Sequence, residues 1–209
     1  MSHFERPALT VDVVAFRWRR RLEVLLIRRG KPPFQGQHAL PGGFVEPFEP
    51  APVAAARELL EETGVRIDPE TLRTVGTFSG PDRDPRGWTA SAVYAAVLSP
   101  DVEAAAGDDA AAAEFIDAQA LPPLAFDHAQ VIAAARRVLI ERVQVEPWPL
   151  TLLGQGFRSA QVRALYAAIL GEPVAPRPLK AWLRRRGAVT RVGVARFSPS
   201  AELRPDWLR

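Results

Sequence analysis

Gly43-Phe-Val-Glu-Pro-Phe-Glu-Pro-Ala-Pro-Val-Ala-Ala-Ala-Arg-Glu-Leu-Leu-Glu-Glu-Thr-Gly-Val65 is the stretch from which the rest of the chain can be organised. A glycine is followed by Glu49, then by Arg57-Glu58, Glu61-Glu62 and Gly64. Proline near a first turn and glycine just past a last one predict a helix over 52–63. On that helix Glu58, Glu61 and Glu62 stand at i, i+3 and i+4, so all three project from one face. Like charges at this spacing cost about 0.2–0.5 kcal/mol per pair. A bound divalent cation would reverse the penalty, and hard oxygen ligands suit Mg²⁺ or Mn²⁺. An acidic, solvated face paired to arginines is the competing interpretation. Gly42-Gly43 and Glu49 argue against it, because a solvated face needs no fixed loop upstream. Arg57 is placed to orient one of these glutamates, or Glu49, by pairing with it.

Around this helix the chain alternates strands and turns. Leu9 to Phe16 and Leu22 to Ile27 read as two buried strands forming a hairpin, joined by a basic turn at Arg17 to Arg21. Thr74 to Phe78 and Thr89 to Leu98 are further strands, separated by the polar loop Ser79 to Trp88. Asp101 to Ala113 reads as an Ala- and Asp-rich surface loop, followed by a short strand at Glu114-Phe-Ile116. Asp127 is a candidate N-cap for a helix from His128 to about Arg142, whose apolar stripe is Val131, Ile132, Ala135, Val138 and Leu139. Glu146-Pro-Trp-Pro149 breaks the chain, and a domain boundary is expected there. Beyond it, Ser159 to Leu170 reads as an amphipathic helix capped by Ser159 and stopped by Gly171. A short helix ending at Arg184-Arg-Arg-Gly187 and a strand or hairpin over Val189 to Phe197 complete the order.

The composition narrows the function classes. Cysteine is absent, which excludes disulfides, zinc-thiolate sites and thiol nucleophiles. No apolar run approaches the roughly 18 residues of a spanning helix, and the N-terminus lacks a signal-peptide pattern, so a cytoplasmic protein without a membrane partner is expected. Charge is unevenly spread. Residues 1–150 carry 16 Lys/Arg against 21 Asp/Glu, whereas 151–209 carry 11 against 3. Such asymmetry fits either an anionic partner for the second part, such as nucleic acid, or a merely basic tail.

The 43–65 constellation resembles the Nudix box. The resemblance implies hydrolysis of a nucleoside diphosphate linked to another moiety, an α/β/α sandwich around a mixed sheet, and a Mg²⁺ or Mn²⁺ cofactor. Carried over by position, it makes Glu58, Glu61 and Glu62 metal ligands, Arg57 their organiser and Glu49 a supporting carboxylate. Phe48 departs from the pattern, standing where many members have glycine, and His38 stands where a tryptophan often precedes the loop. Ala39-Leu-Pro-Gly-Gly-Phe-Val-Glu46, Asp82-Arg-Asp-Pro-Arg-Gly87 and Leu124-Ala-Phe-Asp-His128 resemble the ADP-ribose pyrophosphatase-like subgroup carrying a C-terminal winged helix. Some members of that subgroup are ADP-ribose-responsive transcriptional regulators of NAD metabolism. The implied layout is a Nudix domain over 1–147 and a basic winged-helix-like domain over 148–209, in a homodimer.

Within the 79–88 loop, Arg83 or Arg86 would meet phosphate, and Asp82 or Asp84 would meet ribose hydroxyls or act as a distal base. The alternative is a hairpin turn of salt-bridged surface charges. His128 is read as a structural residue at a helix start. Glu46 reads equally as a metal neighbour or a solvated loop residue, and Trp88 and Phe34 read as packing residues, with stacking on a base as the alternative. In the C-terminal part, Arg177, Lys180, Arg184, Arg185 and Arg186 are the candidate DNA contacts. Cations at a helix C-terminus also favour its dipole, so a dimerising or vestigial module is the rival. The expected activity is Mg²⁺-dependent hydrolysis, with ADP-ribose giving AMP and ribose 5-phosphate. An ADP-ribose-responsive DNA-binding regulator is the alternative, and sanitation of oxidised nucleoside triphosphates stays open because it shares the box.

Overall fold

The computed structural model describes residues 6–107, 110–174, 189–191 and 197–199. Strands β1 (Ala8–Trp18) and β2 (Leu22–Arg29) form the expected hairpin, but they pair only near its closed end, where Trp18 faces Leu22 and Phe16 faces Val24. Further along they part. Into the fork run β3 (His38–Ala39), antiparallel to β2, and β4 (Gly42–Phe44), antiparallel to β1. The turn between them is tied to β1 by a hydrogen bond from the Val13 N–H to the Pro41 carbonyl, 2.9 Å. Helix α1 (Ala51–Thr63) follows and ends at Gly64, whose φ of 68° is a left-handed stop.

The sheet grows on both sides of this fork. β5 (Arg73–Phe78) pairs antiparallel with β6 (Thr89–Val97), and β6 lies parallel to β1 from Ala8 to Phe16. β7 (Ala110–Asp117) runs antiparallel along the other edge of β2. The result is a seven-stranded sheet, mixed as was expected. Residues of β1 alternate between its faces, as strand geometry requires. Val11, Val13 and Ala15 pack with Ala54, Ala55 and Leu59 of α1. Val14 and Phe16 pack on the opposite face with Val131, Ile132, Ala135 and Leu139 of α2 (His128–Val145). Burial on both faces explains the nearly unbroken apolar run of β1. Asp12 is its one acidic interruption, and it too is buried.

Three local expectations change. Asp127 precedes α2, but its carboxylate caps no backbone N–H; Arg83 takes both oxygens instead, at 3.0 and 3.1 Å. The 101–113 segment is not all loop, since β7 begins at Ala110 and its alanines acquire strand geometry by pairing with β2. The loop before it closes the end of α1: Ala105 and Gly107 donate their N–H groups to the Thr63 and Glu62 carbonyls. Helix α3 (Ser159–Leu170) is capped from Arg158, not Ser159, because the Arg158 N–H donates to the Gln161 side chain at 2.8 Å.

After Val145 a 3₁₀ stretch at Trp148–Leu153 leads into α3. Leu150, Leu152 and Phe157 share one apolar cluster with α2, with Phe16 of the sheet and with Leu165 of α3. Residues on both sides of the Glu146-Pro147 break therefore contribute to a common core. Gly171 ends α3 with φ 77°. The expected C-terminal strands are present as β8 (Val189–Arg191) and β9 (Phe197–Pro199), antiparallel with Thr190 opposite Ser198. Among the described residues, no helix is long and apolar enough to cross a membrane.

Candidate active site

The forked hairpin brings the two glycines of the 42–43 turn against α1. The Gly42 N–H donates to Glu62 Oε2 at 2.9 Å. A Cβ on Gly43 would lie 2.4 Å from Glu58 Oε1, so no side chain fits between that backbone and the helix carboxylate. Arg57 gathers the remaining acids. Its Nε and Nη2 meet both Glu49 oxygens at 3.0 and 2.9 Å, and its Nη1 meets Glu58 at 2.8 Å and Glu61 at 3.1 Å. Nη2 also donates to the Phe44 carbonyl. One guanidinium thus ties the loop acid Glu49 to two acids of the helix. The Arg57 hydrogen bond holds Glu49 below its ordinary pKa. Burial raises Glu58, against the pull of Arg57, with Glu61 and Glu49 pushing the same way as burial. A half-buried carboxylate crowded by other carboxylates fits a hard divalent cation, and Glu58 and Glu62 both abut the glycine turn. Among the described residues no three acids or histidines are already gathered around one point, and Glu61 is drawn outward to Arg57.

The 79–88 loop divides its charges between two tasks. The Arg83 side chain is buried and paired inward, to Asp127 and, at 3.2 Å, to Asp12. Burial alone would raise the Asp12 carboxyl, but His128, Ser91 and Arg83 outweigh it and hold the pKa at about 2. Asp84 is likewise buried and accepts from the Arg86 N–H, Nε and Nη2, the last at 2.7 Å, which fixes the direction of the Arg86 side chain. Asp82 is exposed. Arg86 is the cation the loop presents, with its guanidinium over the rings of Phe44 and Phe126 at 5.4 and 5.8 Å.

Arg29 is the residue that the sequence reading missed. It ends β2, two residues beyond Ile27, where the strand was expected to stop. Its guanidinium lies 4.8 Å from the Phe126 centroid, on the same ring that Arg86 approaches. Burial lowers the Arg29 pKa, the charge of Arg86 lowers it further, and Glu62 and Asp84 oppose both. Two guanidiniums close enough to repel, beside the box carboxylates, make a place for an anion. The aromatic floor is built at some conformational cost: Phe126 (φ 54°) and Phe34 (φ 60°) both sit in the left-handed region and meet edge to face at 4.8 Å. Arg177, Lys180, Arg184, Arg185 and Arg186 lie outside the described residues.

Phe48, the departure from the box pattern, has φ 66° and is fully exposed. Left-handed backbone costs a residue with a Cβ about 1–2 kcal/mol, and glycine returns part of that gain as unfolded-state entropy. Phe48→Gly is therefore expected to stabilise the protein by about 0.5–1 kcal/mol in urea unfolding. A lower unfolding midpoint in the variant would show that the ring contributes contacts of its own.

Comparison with known proteins agrees with this geometry. Residues 6–135 match the NUDIX domain family. An ADP-ribose pyrophosphatase of Methanocaldococcus jannaschii is 45% identical over 127 residues, 60% of this chain and 71% of that protein. The ADPR responsive transcriptional repressor NtrR of Acinetobacter baylyi is 31% identical over 193 residues, 90% of this chain and 76% of the repressor. A MutT/nudix family protein from Enterococcus faecalis superposes with a TM-score of 0.82 at 30% identity, covering 96% of this chain and 89% of its own. Nudix enzymes work with divalent metal ions, and Glu58 and Glu62 lie against the 42–43 turn. With its box intact and its mixed sheet forked around the glycine turn, the chain belongs to the Nudix family and is a Nudix hydrolase.

Proposed function

We propose that the chain hydrolyses ADP-ribose to AMP and ribose 5-phosphate in the presence of Mg²⁺. The observation that carries this reading is the pair Arg29 and Arg86 on the Phe126 ring, next to Glu62. A pyrophosphate bridge presents two anionic groups, and two guanidiniums match it by charge-assisted hydrogen bonds. The similarity to a pyrophosphatase of ADP-ribose supplies the groups on either side of the bridge. Bound Mg²⁺ would neutralise phosphate charge and lower the pKa of a bound water, giving a nucleophile at neutral pH. Glu58, Glu61 and Glu62 would hold it, while Arg57 and Glu49 fix the rotamers of these acids. Arg86, aimed by Asp84, and Arg29, braced by the Pro33 carbonyl at 2.7 Å, orient the bridge, and the Phe34–Phe126 pair keeps water from its outer side.

The test is AMP release from ADP-ribose by the purified protein with Mg²⁺. No turnover on ADP-ribose or on a panel of other nucleoside diphosphate derivatives would refute the reading. Preferred turnover of oxidised nucleoside triphosphates would reassign it to sanitation. Arg29→Ala and Arg86→Ala are each expected to lower kcat/KM about 10–100-fold, the worth of a hydrogen bond to a charged group.

A second reading rests on the Acinetobacter baylyi repressor, whose similarity continues past the box domain and through most of the basic segment. In that reading residues 148–209 form a winged-helix-like module of a cytoplasmic homodimer. ADP-ribose at the Nudix site then shifts DNA affinity, and DNA shifts ADP-ribose affinity by the same factor. Arg177, Lys180, Arg184, Arg185 and Arg186 would supply phosphate contacts. Replacing Arg184, Arg185 and Arg186 by Ala should weaken binding to all DNA sequences alike and flatten the salt dependence. Fluorescence anisotropy on the upstream region of the gene checks it. Absence of binding at low salt, with hydrolysis intact, would leave an enzyme only.

A further inference from the structure

The acidic interruption of β1 lies directly beneath the glycine turn, in a buried polar cluster with no part in the site so far. Asp12 Oδ2 accepts from the Ser91 hydroxyl and from Arg83 Nη2, and Oδ1 lies 3.4 Å from His128 Nε2. The Leu40 N–H donates to His128 Nδ1 at 2.8 Å. A backbone N–H can only donate, so Nδ1 is the unprotonated nitrogen and the ring proton stands on Nε2, toward Asp12. The side chains of Asp12, His128 and Ser91 are all at least nine-tenths buried, which makes each of these bonds costly to leave unmade. Two residues beyond Leu40, the Gly42 N–H meets Glu62. Gly42 itself presses on β1, with its Cβ position 3.0 Å from the Asp12 Cα. A continuous path therefore runs from Asp12 through the imidazole to the Leu40 amide, and along the turn to a box carboxylate on α1.

We propose that His128 and Asp12 are positioning residues of the metal site: the histidine holds the Leu40–Gly43 turn where Gly42 can engage Glu62, and Asp12 fixes the ring's tautomer and orientation. The inference rests on the reading of Glu62 as a metal ligand. The Asp12 carboxylate also anchors Arg83, which belongs to the loop that presents Arg86, so Asp12 registers the phosphate-facing loop against the metal-facing turn. Outer partners of this kind orient the groups that touch a metal, and losing one typically weakens metal binding 10- to 100-fold.

The experiment measures Mn²⁺ affinity of the full chain by electron paramagnetic resonance, alongside kcat and KM at saturating metal and the urea midpoint. Three replacements of His128 separate the roles. Ala removes everything, Leu restores bulk without an acceptor, and Asn restores an acceptor near the place of Nδ1. Positioning predicts Mn²⁺ binding weakened about 10- to 100-fold in His128→Ala and His128→Leu and largely recovered in His128→Asn, with substrate KM unchanged. Core filling alone predicts the opposite order, with Leu equal to or better than Asn, and that order overturns the proposal. If His128→Leu does not fold, Asp12→Asn, which keeps the size of the side chain, takes its place; unaltered Mn²⁺ affinity there has the same consequence. Glu62→Gln is the control. If it leaves Mn²⁺ affinity as in the parent protein, the ligand assignment fails and the positioning role falls with it. If Glu62→Gln loses the ion while the His128 variants keep it, the positioning role alone is wrong.

Discussion

Glu62→Gln should lower kcat by at least about 10³-fold, ~4 kcal/mol of transition-state stabilisation, while leaving the urea midpoint close to that of the parent protein. The separation of the two effects follows from what Glu62 does in the fold. Its carboxylate accepts from the Gly42 N–H, and a glutamine carbonyl can accept the same bond, so the turn keeps its place. What the amide cannot supply is the negative charge that a divalent cation requires. Glu58→Gln differs in one respect. Glu58 is also a partner of Arg57, at 2.8 Å, so its replacement loosens the organiser as well as the donor set. Steady-state hydrolysis with an unfolding curve for each variant checks both, and full activity in either would remove that residue from the metal site.

The two glycines of the turn should fail in different ways when replaced by alanine. At Gly42 the new methyl would stand 2.1 Å from the Val11 carbonyl oxygen, a backbone atom inside the sheet that has nowhere to go. Overpacking of this severity costs about 3 kcal/mol, a fall in Tm of about 6–12 °C for a chain of this size. At Gly43 the nearest atoms are the carboxylate of Glu58, the end of a side chain. That group can swing away, so Gly43→Ala should stay folded and lose kcat by about 10²-fold, because the acid leaves its place beside the turn. Calorimetry and hydrolysis on both variants give the pattern. A stable, active Gly43→Ala would mean that the position of Glu58 does not matter to turnover.

The legibility of these features in the sequence follows the range of the interactions. Helix α1 was readable because its punctuation, Pro52 and Gly64, lies within the segment, and the pairing of Arg57 with Glu49 and Glu58 was readable because the box holds all three. The hairpin and the paired strands β5 and β6 were readable from apolar patterning. Contacts across the fold were not. Asp127 has the residue type and position of a cap, yet Arg83, 44 residues away, claims its carboxylate. Arg83 and Arg86 are indistinguishable as letters in one short loop, and it is Asp12 and Asp127, 71 and 44 residues distant from Arg83, that draw one of them inward. Arg29 could be recognised only when Phe126 and Arg86 were seen beside it. The alanines of β7 carry little strand propensity of their own and become a strand because β2 offers an edge.

The fork in the first hairpin separates what this scaffold can vary from what it cannot. The glycine turn is stitched to a strand on either side, so an insertion there would have to tear the sheet. Arg86, by contrast, sits on the connection between β5 and β6, which can lengthen or shorten without disturbing a ladder. Substrate preference can thus drift by loop exchange while the hydrolytic centre is inherited unchanged. Grafting a relative's residues between β5 and β6 onto this chain, with the Arg83 anchor retained, should move selectivity among nucleoside diphosphate derivatives and leave the metal requirement as it was.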